Sequence, residues 1–239
     1  MRKFKQFLYH KFGIERTLPN FQFENLKERL ILEKRIDVVL DVGASVGHYT
    51  EAIRKLYPNL AIMAFEPLKE PFNFLRERFK NEPQIKSYNV ALGNSNSYRN
   101  FFVASNNGES SSFYLPKKHL TDAPGIKFNT ASQVEVKRLD SIELLNNYKS
   151  IFLKMDVQQA EWEVFSGLGM LINNVELIEI EVNFNSLYQS GIHPLQTLVN
   201  ILSEGFEYFA ATKARVLPNG QHWYCNALLV RNKDMNSKF

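Results

Sequence analysis

The amino-acid sequence predicts an α/β fold in which helices cover both faces of a mostly parallel sheet. From residue 37 onward, short apolar runs alternate with stretches of helical spacing, which is typical of parallel strands joined by crossover helices. The chain has 239 residues, 44% of them hydrophobic, which suffices for one sizeable core but is short for two ordinary domains. We therefore expect one α/β domain.

Five buried strands are predicted from runs of apolar and β-branched residues, at 38–42, 60–65, 85–92, 151–157 and 175–182. The stretches of helical spacing between them are 46–57, 71–80, 141–148 and 160–173. Two further strands, 207–211 and 223–230, are separated by a loop that contains Pro218, Asn219 and Gly220. Because so short a connection joins antiparallel strands, we expect this pair at the edge of the sheet.

The segment 94–136 interrupts this alternation. It is rich in Asn and Ser, contains the alternating run 98–104 and ends in a candidate strand at 133–137. We predict an inserted β-hairpin with a long loop, and such insertions at sheet ends often shape substrate sites. The predicted organisation is a helical extension at 1–36, including a helix over 22–35, a domain at 37–233 and a tail at 234–239.

The first 20 residues carry the whole net charge of the chain, which is +4. Their apolar residues stand at the spacing of a basic amphipathic helix, and two interpretations stay open: packing on the domain or a second subunit, or contact with an anionic membrane. Because residues 21–239 are neutral, we do not expect a nucleic-acid partner. The apolar residues are Phe4, Phe7, Leu8 and Phe12.

Two kinds of structural site are excluded by the residues that they need. Cys225 is the single cysteine, so no internal disulfide can form, and no Cys/His cluster has zinc spacing.

No apolar run is long enough to span a bilayer, and no signal-peptide pattern is present. We expect a cytoplasmic protein, with peripheral contact at the inner face of the membrane through residues 1–20 as the alternative.

The strongest chemical signal is a glycine turn between the first predicted strand and the first predicted helix. It has the pattern D-x-G-x-x-x-G from Asp41 to Gly47, at a sheet edge where ligands bind. A dinucleotide fingerprint would need glycine at Ser45, and no P-loop sequence is present. The pattern suits an adenosine ligand without phosphates, with Gly43 and Ala44 around its amino-acid tail. That ligand is S-adenosylmethionine.

A carboxylate follows the second predicted strand at the matching position. Glu66 lies nineteen residues after Gly47, where a carboxylate can accept hydrogen bonds from both ribose hydroxyls. The alternative is a turn that needs glycine only for its backbone angles, with Glu66 merely solvated. The turn together with the acid favours the cofactor interpretation.

These motifs, with others in the same order, resemble the FkbM-type family of S-adenosylmethionine-dependent methyltransferases. The similar segments are 41–50, 64–67, 89–93, 136–141, 153–161 and 175–181. The resemblance implies a class I methyltransferase-like (Rossmann-like) fold with a seven-stranded, mostly parallel sheet and an antiparallel last strand. The chain departs from the family at Gln159, where glycine is usual, and this affects the backbone path after Asp156.

The glycine turn and the resemblance together give a set of cofactor-binding residues. Ala91 is expected beside the adenine, because segment 89–93 resembles the end of the family's third strand. A loop at 108–112 resembles the family's Ser-rich loop over the active site. The residues expected to bind S-adenosylmethionine are Asp41, Gly43, Ala44, Ser45, Gly47, Glu66, Pro67, Ala91 and Asp156.

Acidic residues at the ends of the fourth and fifth predicted strands are the predicted catalytic groups. Methyl transfer from a sulfonium needs a positioned acceptor and loss of the acceptor proton. Asp156 would take that proton or orient the acceptor, and Glu181 would bind hydroxyls or share this role. Lys154, on the same face, would balance these carboxylates. The alternatives are helix capping by Asp156 and an Mg²⁺ site that adds Asn183, although we predict no metal.

We predict an S-adenosylmethionine-dependent O-methyltransferase. The resemblance implies a sugar hydroxyl of a cell-surface or secondary-metabolite glycan as the acceptor. Two alternatives stay open: methylation of a small non-sugar metabolite, and a non-catalytic S-adenosylmethionine-binding module. Gln159 is the only sequence feature that favours the module.

Overall fold

The computed structural model describes residues 18–189 and 191–232, and its largest element is a seven-stranded sheet. The order in this sheet is β3-β2-β1-β7-β8-β10-β9. Neighbours from β3 to β8 are parallel, whereas β10 is antiparallel to β8 and β9, which confirms the predicted fold class. The described strands are β1 (Val38–Val42), β2 (Ala61–Phe65), β3 (Ile85–Tyr88), β4 (Ala91–Leu92), β5 (Ser97–Ala104), β6 (Phe128–Lys137), β7 (Ile151–Met155), β8 (Val175–Asn183), β9 (Phe206–Ala211) and β10 (Tyr224–Arg231).

Apolar layers on both faces of the sheet hold the helices. Val39 and Phe152 face one cluster, and the next residues, Leu40 and Leu153, face the other. Because side chains alternate along a strand, these strands are buried on both sides, which explains their continuous apolar runs. The described helices are α1 (Leu18–Glu33), α2 (His48–Leu56) and α3 (Lys69–Arg78) on the Val39 face, α5 (Glu161–Ser166) and α6 (Pro194–Ser203) on the Leu40 face, and the short α4 (His119–Asp122) in the insertion.

The predicted strand 85–92 is divided into β3 and β4, which belong to different sheets. Between them, the side-chain amide of Asn89 donates hydrogen bonds to the carbonyl oxygens of Glu66 (2.9 Å) and Pro67 (3.0 Å). These bonds turn the chain over the end of β2. The prediction of one continuous strand over 85–92 was therefore wrong.

Two predicted helices have a different form. The segment 141–148 lies in 3₁₀ turns, Leu139–Ser141 and Glu143–Asn147, since the Ser141 hydroxyl donates to the Arg138 carbonyl oxygen (2.7 Å) and competes with helical backbone bonds. The segment 160–173 forms α5 followed by a 3₁₀ helix, Gly169–Asn174. Gly169 has a φ of +50°, in the left-handed region, which an α-helix cannot continue through.

The inserted β-hairpin is present as predicted. Strands β5 and β6 pair in antiparallel fashion, and β4 adds to β6 as a parallel strand, giving a separate three-stranded sheet. Between β5 and β6, Ser112 exchanges two backbone hydrogen bonds with Phe102 (2.8 and 3.2 Å). This pairing folds the intervening loop back toward the carboxyl ends of the main strands.

Helix α1 belongs to the same core as the sheet. Its residues Phe23, Leu30 and Ile31 are buried in the cluster that contains Val39. The predicted basic helix at 1–12 and the predicted tail at 234–239 lie outside the described residues. Among the helices that the structure describes, none is long and apolar enough to cross a membrane.

Candidate active site

A cavity of about 460 Å³ opens at the carboxyl ends of β1, β2, β7 and β8. Its β2 side is lined by residues that follow β1 and β2 and by β4, and its β8 side by residues that end β7 and β8 and precede β10. The loop 106–111 of the insertion also lines it, so the Ser-rich loop lies at the cavity. These segments meet because the carboxyl ends of parallel strands share one edge of the sheet.

The turn after β1 requires glycine at its first position. Gly43 has a φ of +79°, in the left-handed region, and a Cβ there would collide with the Asp156 carbonyl oxygen. The amides of Gly43 and Ala44 donate to the Phe65 carbonyl oxygen (3.1 and 3.0 Å), which ties the turn to the end of β2. Gly43, Ala44 and Ser45 all line the cavity.

Glu66 lies beside this turn, buried at the end of β2. Its Oε2 accepts a hydrogen bond from the Ser45 amide (2.9 Å), and its Oε1 accepts one from the Leu68 amide (2.8 Å). Each carboxylate oxygen keeps a lone pair for a ligand hydroxyl. Burial raises the pKa of Glu66 to about 7, against the opposing effect of these two hydrogen bonds and of Lys154.

The β2 side of the cavity fits the adenosine part of S-adenosylmethionine. Pro67 and Ala91 line it, together with the apolar side chains of Val90 and Leu92. The Ser45 hydroxyl is buried there without a hydrogen-bond partner in the described structure, so a ligand could satisfy it. With the two acceptor oxygens of Glu66, this wall offers an apolar slot and polar groups for vicinal hydroxyls.

Two residues predicted to bind the cofactor, Asp41 and Gly47, do not line the cavity. Gly47 has a φ of +88°, and a Cβ there would lie 2.6 Å from the Phe79 ring, so this glycine permits close packing under the turn. Asp41 is fully buried in β1, where it accepts a hydrogen bond from the Thr50 hydroxyl (2.6 Å) and pairs with Lys154 (3.1 Å). Both residues therefore support the turn from beneath.

A row of buried charges crosses the sheet below the cavity. Asp41 on β1, Lys154 on β7 and Glu179 on β8 occupy directly opposite positions in three adjacent parallel strands. From the helices, the Tyr49 hydroxyl (2.7 Å) and the Lys27 ammonium (3.0 Å) both donate to Glu179. Each buried charge of the row therefore has an opposite charge beside it.

Lys154 connects this row to the cavity wall. Its Nζ lies 3.1 Å from Asp41 Oδ1 and donates to the Gly43 carbonyl oxygen (3.2 Å). Burial by itself would lower the pKa of Lys154, but the charges of Asp41 and Asp156 outweigh burial and raise it to about 12. Lys154 can therefore balance carboxylates, but it cannot accept a proton at neutral pH.

Asp156 and Glu181, the predicted catalytic acids, both line the cavity. The Gln158 side-chain amide donates to Asp156 Oδ1 (3.1 Å) and lies 3.5 Å from Glu181 Oε1. Glu181 also accepts a hydrogen bond from the Asn183 amide (2.9 Å). Burial, and after it the charge of Asp156, raise the pKa of Glu181 well above its ordinary value. This pair favours a protonated Glu181 next to Asp156.

The alternative of a metal at Asp156, Glu181 and Asn183 receives no support from the geometry. The amide of Gln158 lies between the two carboxyl groups, where an ion would have to bind. Within residues 18–189 and 191–232, no group of three or more His, Cys, Asp or Glu residues could hold a metal ion.

Gln159, which replaces the usual glycine, has a φ of +76°, in the left-handed region that favours glycine. Its buried side-chain oxygen accepts hydrogen bonds from the amides of Leu187 (3.2 Å) and Tyr188 (3.4 Å). These bonds offset the strained backbone and hold the 187–188 segment against the turn after β7. Because Leu187 lines the cavity, Gln159 shapes the wall beside Asp156.

Several cavity residues were not predicted from the sequence, among them His119, Trp223 and Tyr224. His119 lies in the insertion, Tyr224 begins β10 and Trp223 directly precedes it, far from any motif. The length of the insertion was the only available signal, and it pointed to the segment rather than to His119. Asn183 also lines the cavity, although the sequence suggested it only as a metal ligand.

Comparisons with known proteins give the family. Residues 41–208 match the methyltransferase FkbM domain. The 2-O-methyltransferase NoeI of Sinorhizobium fredii is 27% identical over 179 residues, which cover 72% of this chain and 73% of the relative. Methyltransferase 1 of Beauveria bassiana is 26% identical over 179 residues, covering 64% of this chain and 72% of the relative. A solved structure from Klebsiella pneumoniae, provisionally an O-methyltransferase, is 14% identical with a TM-score of 0.49, covering 92% of this chain and 83% of its own.

The family match includes the glycine turn, Glu66 and the two acids of the β8 side. It extends over more than two thirds of the chain. The same residues form the cavity, and its β2 side fits the adenosine part of the cofactor. The chain therefore belongs to the FkbM methyltransferase family, and it is an S-adenosylmethionine-dependent methyltransferase.

Proposed function

We propose that the protein transfers the methyl group to a hydroxyl of a sugar in a cell-surface or secondary-metabolite glycan. The observation that carries this proposal is the pair of carboxyl groups, Asp156 and Glu181, on the β8 side of the cofactor cavity. The name of the relative NoeI, a 2-O-methyltransferase, supports a hydroxyl acceptor.

When bound, S-adenosylmethionine supplies an electrophilic methyl group on a positively charged sulfur. Asp156, at the end of β7, accepts the proton that the acceptor hydroxyl loses as its oxygen bonds to the methyl carbon. Gln158 holds this carboxylate through its hydrogen bond to Oδ1 (3.1 Å) and keeps it oriented for proton transfer.

Glu181 and Lys154 have supporting roles in this proposal. The protonated form of Glu181, favoured by burial and by Asp156, can donate a hydrogen bond to an acceptor oxygen. Lys154, whose pKa is raised to about 12, stays charged and places an ammonium group at the cavity wall. One acid thus orients the acceptor while the other takes its proton.

The test compares Asp156→Asn with the unchanged protein on a panel of sugars and non-sugar alcohols. The readouts are S-adenosylhomocysteine release and the O-methyl signal in the product. We expect Asp156→Asn to keep cofactor affinity within a few-fold and to lower kcat by about a hundredfold, the usual scale for a lost general base. Asp140→Asn, which changes an acid that does not line the cavity, is the matched control.

The other outcomes separate the alternatives. Unchanged turnover in Asp156→Asn would leave this residue with a capping role. Methylation of non-sugar alcohols alone would favour the small-metabolite function. Cofactor binding without transfer to any acceptor would favour the non-catalytic module.

A further inference from the structure

Besides Ser45, the cavity is lined by three residues with buried polar atoms that have no hydrogen-bond partner in the described structure. They are Nδ1 of His119, Oδ1 of Asn183 and Nε1 of Trp223, and all three residues line the cavity. Buried polar groups are nearly always satisfied in native proteins, so several unsatisfied ones in residues that line one cavity indicate a ligand that completes them. Within residues 18–189 and 191–232, these three atoms make no hydrogen bond that would stabilise the fold.

The remaining contacts of Asn183 and Trp223 place both residues at one end of the main sheet. The side-chain nitrogen of Asn183 donates a hydrogen bond to Glu181 Oε1 (2.9 Å). The atom of this side chain without a partner is therefore its oxygen. The backbone of Trp223 bonds to Arg215 (2.8 Å) and Phe184 (2.9 Å), which holds the residue at the end of the β8–β10 ladder. Asn183 is paired with Tyr224, the next residue of that ladder, and both Asn183 and Trp223 line the cavity.

His119 approaches from the insertion. It is 2% exposed, and its ring packs against Phe128 (5.3 Å between centroids) and Tyr188 (5.8 Å). Burial lowers the pKa of His119, although the nearby Asp122 opposes this effect. The neutral imidazole has one donor and one acceptor nitrogen, so it can bind a hydroxyl in either sense.

The three groups together have the chemistry of a polyol site. Asn183 offers an acceptor, Trp223 a donor and His119 either, and a hydroxyl is the ligand group that can both donate and accept. A phenol or an alcohol whose single hydroxyl is the one placed at Asp156 has no further hydroxyl for these groups and would leave them unsatisfied. An acceptor with several hydroxyls on one ring satisfies all of them.

We propose that His119, Asn183 and Trp223 form the acceptor subsite and select a ring that carries several free hydroxyls besides the methylated one. This proposal rests on the proposed methyl transfer to a hydroxyl. It assigns specificity, rather than catalysis, to residues on the insertion, on β8 and before β10.

The experiment uses the full chain with S-adenosylmethionine and the methyl glycopyranosides of glucose, galactose and mannose, with their monodeoxy derivatives. Three variants remove the polar atoms while keeping an apolar side chain: Trp223→Phe, His119→Phe and Asn183→Leu. Trp162→Phe is the matched control, because it changes the chain's other tryptophan, which does not line the cavity.

We expect each variant to raise KM for the best glycoside about tenfold, the factor for one lost hydrogen bond, and to leave the cofactor Kd unchanged. For one monodeoxy glycoside, Trp223→Phe should cause no further rise in KM. The hydroxyl that this glycoside lacks is the one that the indole N–H would bind. Unchanged KM in all three variants, or equal turnover of a phenol and the glycosides, would overturn the subsite and leave the methyl transfer intact. Absence of cofactor binding would overturn both proposals.

Discussion

Glu66 gives the sharpest test of the cofactor site, because its two oxygens are held by backbone amides and its pKa is raised to about 7. The variant Glu66→Gln keeps the volume but replaces one acceptor oxygen by a donor. Hydrogen bonds to a charged group contribute about 1.5–3 kcal/mol each, so we expect the affinity for S-adenosylmethionine to fall roughly ten- to a hundredfold at pH 8.

The pH dependence of this binding follows from the same carboxyl group. Ribose hydroxyls donate to the ionised form, so binding requires Glu66 to lose its proton. As the pH falls below about 7, the free protein takes up that proton and the affinity decreases, by up to about tenfold per pH unit. In Glu66→Gln this slope disappears.

Calorimetric titrations with S-adenosylmethionine at pH 6, 7 and 8 measure both effects. Glu70→Gln is the matched control, since this exposed acid lies four residues further along the chain and does not line the cavity. Equal affinity of Glu66→Gln and the unchanged protein at pH 8 would refute the ribose-binding role. An identical pH slope in both proteins would show that another group is titrated.

Three further predictions concern stability and the N-terminal segment. Lys27→Met leaves the buried carboxylate of Glu179 without its ammonium partner, so we expect urea unfolding to show a loss of about 3 kcal/mol. Glu66 and Glu161 both have a pKa raised by burial to about 7, so the folded state binds more protons than the unfolded one. The free energy of unfolding of the cofactor-free protein should therefore rise by about 3 kcal/mol from pH 8 to pH 6. If residues 1–20 contact anionic membrane, deleting 1–17 removes four net positive charges and should abolish salt-sensitive sedimentation with anionic vesicles while activity on a soluble acceptor persists.

Each of these predictions has a matched control and a contradicting outcome. Arg29→Met removes an exposed ion pair from the same helix as Lys27, and we expect it to cost less than about 1 kcal/mol. Equal losses in both variants would contradict the importance of the buried pair. Stability that rises from pH 6 to pH 8 would contradict the raised carboxyl pKa values. Full-length protein that stays in the supernatant at low salt would rule out the membrane contact.

The parts of the fold that were predictable are those that repeat a local pattern. The apolar runs of β1, β7 and β8 and the turn at Gly43 follow from burial and backbone geometry, which act within a few residues. The division of the predicted strand 85–92 depends on Asn89, whose partners Glu66 and Pro67 directly follow β2, and local spacing cannot show such a contact.

The candidate site was predictable in the same uneven way. Glu66 and Asp156 end strands of recognisable length, so their positions at the sheet edge could be inferred. Asp41 is the first residue of the glycine-turn pattern, so the sequence suggested that it binds the cofactor. Its carboxylate instead pairs with Lys154 and Thr50 below the cavity. His119 reaches the cavity only through the path of the insertion, which has no periodic pattern.

The charged row of Asp41, Lys154 and Glu179 also determines how the strands can align during folding. The neighbouring apolar rows of the sheet are similar to one another, so hydrophobic burial alone would tolerate a displaced strand. Because side chains alternate between faces, a slip of β7 by one residue would move Lys154 into the apolar layer on the opposite face and leave Asp41 without its ammonium partner. Unpaired buried charges are strongly unfavourable, so the alignment in which Asp41 and Lys154 pair is favoured over this slip. The row that supports the cofactor turn therefore also distinguishes the correct strand pairing from its closest alternatives.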